Sequence, residues 1–197
     1  MSAPPTARLL SVNTGTALGR LMEGRRVVTA IGKSAREGPV AVNPLGLAGD
    51  EQADPTVHGG LTKAVYAYPS EHLPFWQAER RAHDVPLAER ALPFGFVGEN
   101  LSISGLLETE VWIGDELHFP DCTLRVTEPR QPCYKFNIVM GFAQAGRRMA
   151  EAGCSGFYLS VTRPGTIEAG QTFTLHPGPR DMSVAQMFAG KRGKHLR

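Results

Sequence analysis

The chain has 197 residues, of which 21 are basic and 19 acidic, for a formal net charge of +2. That balance argues for neither a nucleic-acid polymer nor a membrane surface as partner. The hydrophobic share of 42% suits one domain with a proper core, and 22 glycines with 15 prolines in no fixed period point to many turns and a β-rich fold.

Residues 1–7 are expected to form a disordered leader. Arg8–Asn13, Val27–Gly32 and Pro39–Val42 read as short strands. Lys63–Tyr68 alternates in the β manner, with Ala64, Tyr66 and Tyr68 on one face and Lys63, Val65 and Ala67 on the other. Ser70 can cap a helix running to about His83, with Pro74 tolerated in its first turn and Leu73, Trp76 and Arg80 on a shared face. Leu101–Ser104, Glu110–Ile113, Glu116–Phe119 and Thr123–Thr127 follow as strands. Asn137 is placed to cap a helix through Glu151, with Phe142, Ala145 and Met149 on one side, before Gly153–Gly156 breaks it. Phe157–Thr162 and Gln171–His176 are expected to pair through Arg163-Pro164-Gly165, and Ser183–Gln186 is a capping box for one closing helix. With no sustained βαβ alternation, the expected class is mainly β (α+β), a closed or nearly closed barrel with a few short helices. The extension 177–197 then carries that helix and a basic, solvated tail from Lys191 to Arg197.

Cys122, Cys133 and Cys154 cannot all pair within one chain and form no CxxC. A disulfide framework or four-thiolate metal site is therefore not expected, and a reducing cytoplasmic location is. The first ten residues lack an apolar h-region and no run approaches about 18 apolar residues, so neither a signal peptide nor a membrane span is expected.

The richest chemistry lies at Glu128-Pro129-Arg130-Gln131-Pro132-Cys133-Tyr134-Lys135-Phe136. Prolines stiffen the backbone there, and Arg130 and Lys135 favour thiolate at Cys133, the form that attacks electrophiles and binds soft metals. A small buried hydrophobe is the competing reading. His58-Gly59-Gly60 with Lys63 could form an anion nest with charge-assisted donors, or simply a tight turn. Asp50, Glu51 and Asp54 lack a calcium-loop pattern; Asp50 could orient a cation or only shape a turn. Glu99-Asn100 offers an acceptor–donor pair suited to a polar heterocycle, or an Asx-type turn. No nucleophile elbow, Walker loop or strand-anchored GxGxxG is present, and a metal-free Cys133–His58 dyad has no local support.

Taken in order, Gly49–Asp54, His58–Gly60, Lys63-Ala64, Tyr68–His72, Gly98–Leu101, Gly114-Asp115 and Pro129–Lys135 resemble the MOSC family, named for molybdenum-cofactor sulfurase C-termini, and within it the YiiM-like bacterial proteins. The resemblance spans about residues 8–176 and implies a MOSC β-barrel that binds a molybdopterin-type molybdenum cofactor, with Cys133 as the protein ligand to the metal. It implies reduction of N-hydroxylated compounds, such as 6-N-hydroxylaminopurine, to amines, with electrons from a separate donor protein. Arg130, Lys135, Lys63, His58, Gly59 and Gly60 would then serve the cofactor's phosphate and the charge near the metal. Glu99 and Asn100 would recognise the pterin, and Asp50 with His58 would orient groups or deliver protons. A cofactor or sulfur carrier without turnover would use the same residues. YiiM-like relatives commonly continue into a small helical C-terminal domain, of which Asp181–Ala189 resembles the beginning.

Overall fold

The computed structural model describes residues 6–22, 24–52 and 59–195. Strand β1 (Thr6–Thr14) is the first described element; it takes in Thr6 and Ala7 of the expected leader, because Ala7 packs into the core, and residues 1–5 of that leader lie outside the described residues. A hairpin follows, β2 (Leu18–Met22) and β3 (Arg25–Thr29), then the short strands β4 (Ser34–Ala35), β5 (Val40–Asn43) and β6 (Gly46–Leu47). A 3-10 turn, Leu61–Lys63, leads into β7 (Val65–Pro69), and a second, Ser70–His72, into α1 (Leu73–Ala82). The middle of the chain forms β8 (Leu101–Ser104), β9 (Glu116–His118) and β10 (Thr123–Pro129). Helices α2 (Tyr134–Met140) and α3 (Ala145–Ala152) come next, then β11 (Phe157–Arg163), β12 (Gly165–Ile167), β13 (Thr172–His176) and α4 (Val184–His195).

Seven strands close on themselves in the order β1-β8-β7-β11-β10-β9-β13, and pairing of β13 with β1 completes the barrel. The β7–β8 pair is parallel and the others are antiparallel. Closure satisfies the backbone donors and acceptors that an open edge would expose. Leu9, Leu101, Leu117, Leu124, Phe157 and Leu159 fill the interior and are fully buried. A second apolar layer lies outside the barrel wall, where Trp76, Phe136, Met140 and Met149 from the helices pack on Tyr68. This layer explains β7: its two faces sort as the alternation predicts, but both are covered, so all five residues are buried. Lys63 stands before the strand, in the 3-10 turn.

Several sequence expectations are corrected. Asn137 lies inside α2, and its Oδ1 accepts from Gly146 N–H at 2.7 Å. The single helix splits because Gly141 adopts φ 85°, a left-handed cap that glycine accepts without Cβ strain. Phe142, Ala145 and Met149 are nonetheless buried together. Glu110–Ile113 forms a turn with one bridge, Trp112 to Ser183, because Asp115 takes the Trp112 N–H at 2.9 Å. Strands β11 and β13 do not pair: β12 leaves the barrel to join β5, and β13 returns between β9 and β1. Ser70 caps nothing, since α1 starts at Leu73 with Pro74 in its first turn. The capping box at α4 forms in both directions, Gln186 N–H to Ser183 Oγ at 3.1 Å and Ser183 N–H to Gln186 Oε1 at 2.9 Å. Val184 and Phe188 bury that helix against the body of the protein.

Candidate active site

A cleft opens on the side of the barrel between the end of β3, the segment 50–52, the turn before β7, and the start of α2. It holds about 670 Å³ of empty space, counting the part open to solvent. Asp50, Lys63, Asn100, Arg130, Cys133 and Lys135 all line it, so six of the residues singled out in the sequence meet at one place.

Cys133 immediately precedes α2 in extended backbone, φ −125° and ψ 168°, and is half-buried. The β10 strand delivers the chain to this point; the Pro132 ring approaches Gly146, and Cys133 O accepts from Phe136 N–H at 2.9 Å. The thiol is thus carried on a constrained backbone. Cys122 and Cys154 are buried elsewhere, and desolvation pushes their thiols up to about 11 and about 12. None of the three cysteines is in a disulfide.

Arg130 is 5% exposed, and its Nη1 donates to Val97 O at 2.6 Å and to the Tyr66 hydroxyl at 3.4 Å. Its guanidinium lies 4.9 Å from the Tyr66 ring and 5.3 Å from Phe136, cation–π contacts on two sides. Burial works against the charge, but the neighbouring Tyr66 and Tyr158 phenols outweigh it and hold its pKa above the ordinary value. Lys135 donates to Val28 O at 3.1 Å, which ties α2 to the β2–β3 hairpin. Lys63 stands 3.6 Å from Glu128 Oε1 and 5.9 Å from the centre of the Tyr158 ring.

Asp50 is the hub of the cleft floor. Its Oδ1 accepts from Lys33 Nζ and from Gly15 N–H at 2.9 Å, and its Oδ2 accepts from Asn100 Nδ2 at 2.8 Å. Asn100 in turn joins three strands: its Oδ1 takes the Tyr66 N–H at 3.1 Å, and its Nδ2 also reaches Asn13 O at 3.2 Å. Lys33 lines the cleft and escaped the sequence reading; its only signal is a lysine directly after a strand and a glycine. Desolvation lowers its pKa, and Asp50 opposes that shift. Tyr66 and Tyr158 also line the cleft unanticipated, because a strand pattern alone marks them as core.

Of the remaining described candidates, Glu51 also lines the cleft, whereas Glu99, Gly59 and Gly60 do not. Glu99 is not in the cleft wall; it is 1% exposed, with Oε1 accepting from Gly95 N–H at 2.6 Å and Ser102 Oγ at 2.8 Å. Its Oε2 is buried with no hydrogen-bond partner, and desolvation raises its pKa. Gly59 and Gly60 pack on Gln52, whose Oε1 takes the Gly60 N–H at 3.1 Å. Glu51 accepts from Ala17 N–H at 2.8 Å and so anchors the base of the hairpin. His58 and Asp54 lie outside the described residues.

The cleft fits an anionic, metal-bearing cofactor. Among the described residues no carboxylate pairs with the buried Arg130 cation, and the same space is reached by Lys63, Lys135 and one half-buried thiol. Among the described residues no three His, Cys, Asp or Glu side chains cluster as a metal site, so a metal here would bring most of its ligands with it.

A closed seven-stranded barrel bearing such a cleft belongs to a molybdenum-cofactor-associated class: the chain is a member of the MOSC domain family, whose model matches residues 54–174. It is 34% identical to protein YiiM of Escherichia coli K12 over 161 residues, covering 82% of this chain and 70% of that one. A protein named reductase from Gibberella moniliformis is 33% identical over 177 residues, 89% of this chain but 30% of that longer one. The crystal structure of YiiM from Geobacillus stearothermophilus superposes with a TM-score of 0.75 at 29% identity, covering 97% of this chain and 86% of that one. Among the described residues no helix is long and apolar enough to cross a membrane.

Proposed function

We propose that the chain holds a molybdopterin-type molybdenum cofactor in this cleft through Cys133 and reduces N-hydroxylated compounds, such as 6-N-hydroxylaminopurine, to the amine. The observation that carries the reading is the half-buried Cys133 sharing one cleft with Arg130, Lys63 and Lys135. The net reaction takes R–NHOH, two electrons and two protons to R–NH2 and water, with the electrons from a separate donor protein. The bound group supplies the redox chemistry. The chain's residues bind, orient and shield. The Cys133 thiolate is the soft ligand, and Arg130, Lys63 and Lys135 meet the cofactor's anionic groups. Asp50 fixes the Lys33 ammonium in the floor, where Nζ is a proton-bearing donor. Tyr158 keeps its hydroxyl proton, since desolvation raises its pKa, and Tyr66 and Tyr158 wall the cleft against water. Asn100 spends both amide hydrogens on Asp50 and Asn13, so its part in the pterin-recognition role is to hold the Asp50 carboxylate at the cleft floor, and Glu99 supports that strand end from behind. His58, Gly59 and Gly60 keep the anion-facing role implied by the family resemblance.

The test is expression in a host that makes the cofactor, followed by elemental analysis and turnover with a suitable electron donor. About one molybdenum per chain is expected, and strong loss of metal in Cys133→Ser. Full occupancy in that variant removes the ligand assignment. Stoichiometric cofactor without reduction of several N-hydroxylated substrates makes the protein a carrier instead.

A further inference from the structure

We propose that Lys33 is the catalytic acid of the cleft: its ammonium gives a proton to the oxygen that leaves the substrate nitrogen. The proposal deepens the reductase reading and rests on it for the reaction.

The polar side chains of the floor already hold donors of the chain's own. Asp50 Oδ1 takes Lys33 Nζ and the Gly15 N–H, and its Oδ2 takes Asn100 Nδ2. Asn100 Oδ1 takes the Tyr66 N–H, Gln52 Oε1 the Gly60 N–H and Glu51 Oε2 the Ala17 N–H. A substrate N–O group arriving there is met through its oxygen, as an acceptor. An ammonium carries three hydrogens. Among the described residues Lys33 donates to Asp50 alone, which leaves two hydrogens for the cleft that this side chain lines.

The other protic groups of the cleft are less suited to giving up a proton. The guanidinium of Arg130 is held charged beside the Tyr66 and Tyr158 phenols. Desolvation makes Tyr158 keep its proton, and Tyr66 donates its hydroxyl to Ser155 O at 2.8 Å. Lys135 gives its hydrogen bond to Val28 O, and Lys63 lies toward Glu128 and the Tyr158 ring. Lys33 is different. Its side chain is 8% exposed, and desolvation lowers its pKa; Asp50 and Glu99 oppose that shift, and Arg130 adds to it. A lysine moved in that direction is a better acid near neutrality. Its position is fixed at both ends. The Lys33 N–H donates to Gly95 O at 3.3 Å, and Gly95, at φ 84°, lies so near that a Cβ there would stand 2.5 Å from Lys33 O. Asp50 fixes the ammonium.

The step balances as follows. The N–O bond of R–NHOH breaks with its electron pair on oxygen, which takes a proton from Nζ and leaves as water. Two electrons from the donor protein and one proton from solvent complete the amine, and solvent returns a proton to Lys33. The neutral amine keeps a hydrogen for Asp50, so the pair survives the transfer.

The experiment compares cofactor-loaded wild type with Lys33→Arg on 6-N-hydroxylaminopurine. Arginine keeps the charge opposite Asp50 but does not release its proton. Lys33→Arg should lower kcat about 10²-fold with KM little changed. In wild type kcat should fall as pH rises through the Lys33 pKa, and that alkaline limb should vanish in the variant. The molybdenum content should match wild type; metal lost from Lys33→Arg would make Lys33 a binding residue and overturn the acid. A further readout needs no turnover: trace acetylation of the purified protein by acetic anhydride across pH, read by mass spectrometry of the peptides, should give Lys33 a midpoint below the ordinary 10.5. A midpoint at or above that value, or wild-type kcat in Lys33→Arg, would overturn the proposal and leave the reductase reading standing. No turnover of any N-hydroxylated substrate by loaded wild type would sink the reductase reading and the acid step with it.

Discussion

Removing the Asp50 carboxylate should destabilise the whole fold. Asp50 holds Lys33 in a pair whose side chains are 5% and 8% exposed, so Asp50→Ala strands a buried ammonium. Deleting one partner of a buried pair costs about 3–5 kcal/mol, most of it the uncompensated charge. The Gly15 and Asn100 donors lose an acceptor too, but Asn100 borders the solvent-open cleft and Gly15 is half-buried, so water can replace part of the roughly 1–3 kcal/mol each would otherwise forfeit. The estimate therefore stays near 3–5 kcal/mol, a fall in Tm of roughly 6–20 °C for a chain of this size. Urea unfolding followed by the fluorescence of the buried Trp76 reads it directly. The double variant Lys33→Met with Asp50→Ala removes the stranded charge and should recover at least half of the loss. Arg147→Ala, which breaks an exposed pair with Glu151, should leave the midpoint in place. An Asp50→Ala variant within about 1 kcal/mol of wild type, or a double variant no more stable than the single, would refute the buried-hub reasoning.

Burial raises the Glu99 pKa from an ordinary 4.5, so the native state holds that proton more tightly than the unfolded chain. Its contribution to stability is then fully present below pH 4.5 and lost as pH rises through the folded pKa, and Glu99→Gln should flatten the fall of the urea midpoint above pH 4.5; an unchanged slope would exclude Glu99 as its source. With Cys122 and Cys154 pushed up to about 11 and about 12, iodoacetamide at about pH 8 should modify Cys133 first and the other two only in denaturant, as mass spectrometry of the peptides would show.

The barrel class was legible because short strand-like runs, glycine-rich turns and missing βαβ periodicity are local signals, and the alternation at Tyr66 and Tyr68 sorts the two faces of β7 as the structure has them. A closed or nearly closed barrel was expected, but the strand order that closes it was not legible, nor was the path of the last strands. Whether Gln171–His176 pairs with its sequence neighbour or with β1 and β9 depends on contacts distant in sequence. The helix split at Gly141 shows a local rule overruled by another: Asn137 is a good cap residue, but Pro132 and Cys133 start the helix one turn sooner, and the left-handed glycine ends it. At the site, motif residues were visible as polar, glycine-bearing loops, whereas Lys33, Tyr66 and Tyr158 carry no loop signature. They enter the cleft only because the β3 exit, β7 and β11 converge there.

How the four cations of the cleft are held bears on what they are for. Lys33 is held by Asp50, and Lys63 lies within reach of Glu128; both carboxylates cancel much of the charge they fix. Arg130 and Lys135 are held differently, Arg130 by the Val97 carbonyl and two aromatic faces and Lys135 by the Val28 carbonyl. Neutral partners fix a cation's position without cancelling its field, and a field in a half-enclosed cleft of lowered dielectric is stronger than the same charge in water. If the only task of Arg130 and Lys135 were to favour a thiolate, a sulfur with one cation beside it would suffice. Two cations fixed by carbonyls and rings around one sulfur leave positive potential over, and that excess is what a multiply charged anionic cofactor would neutralise.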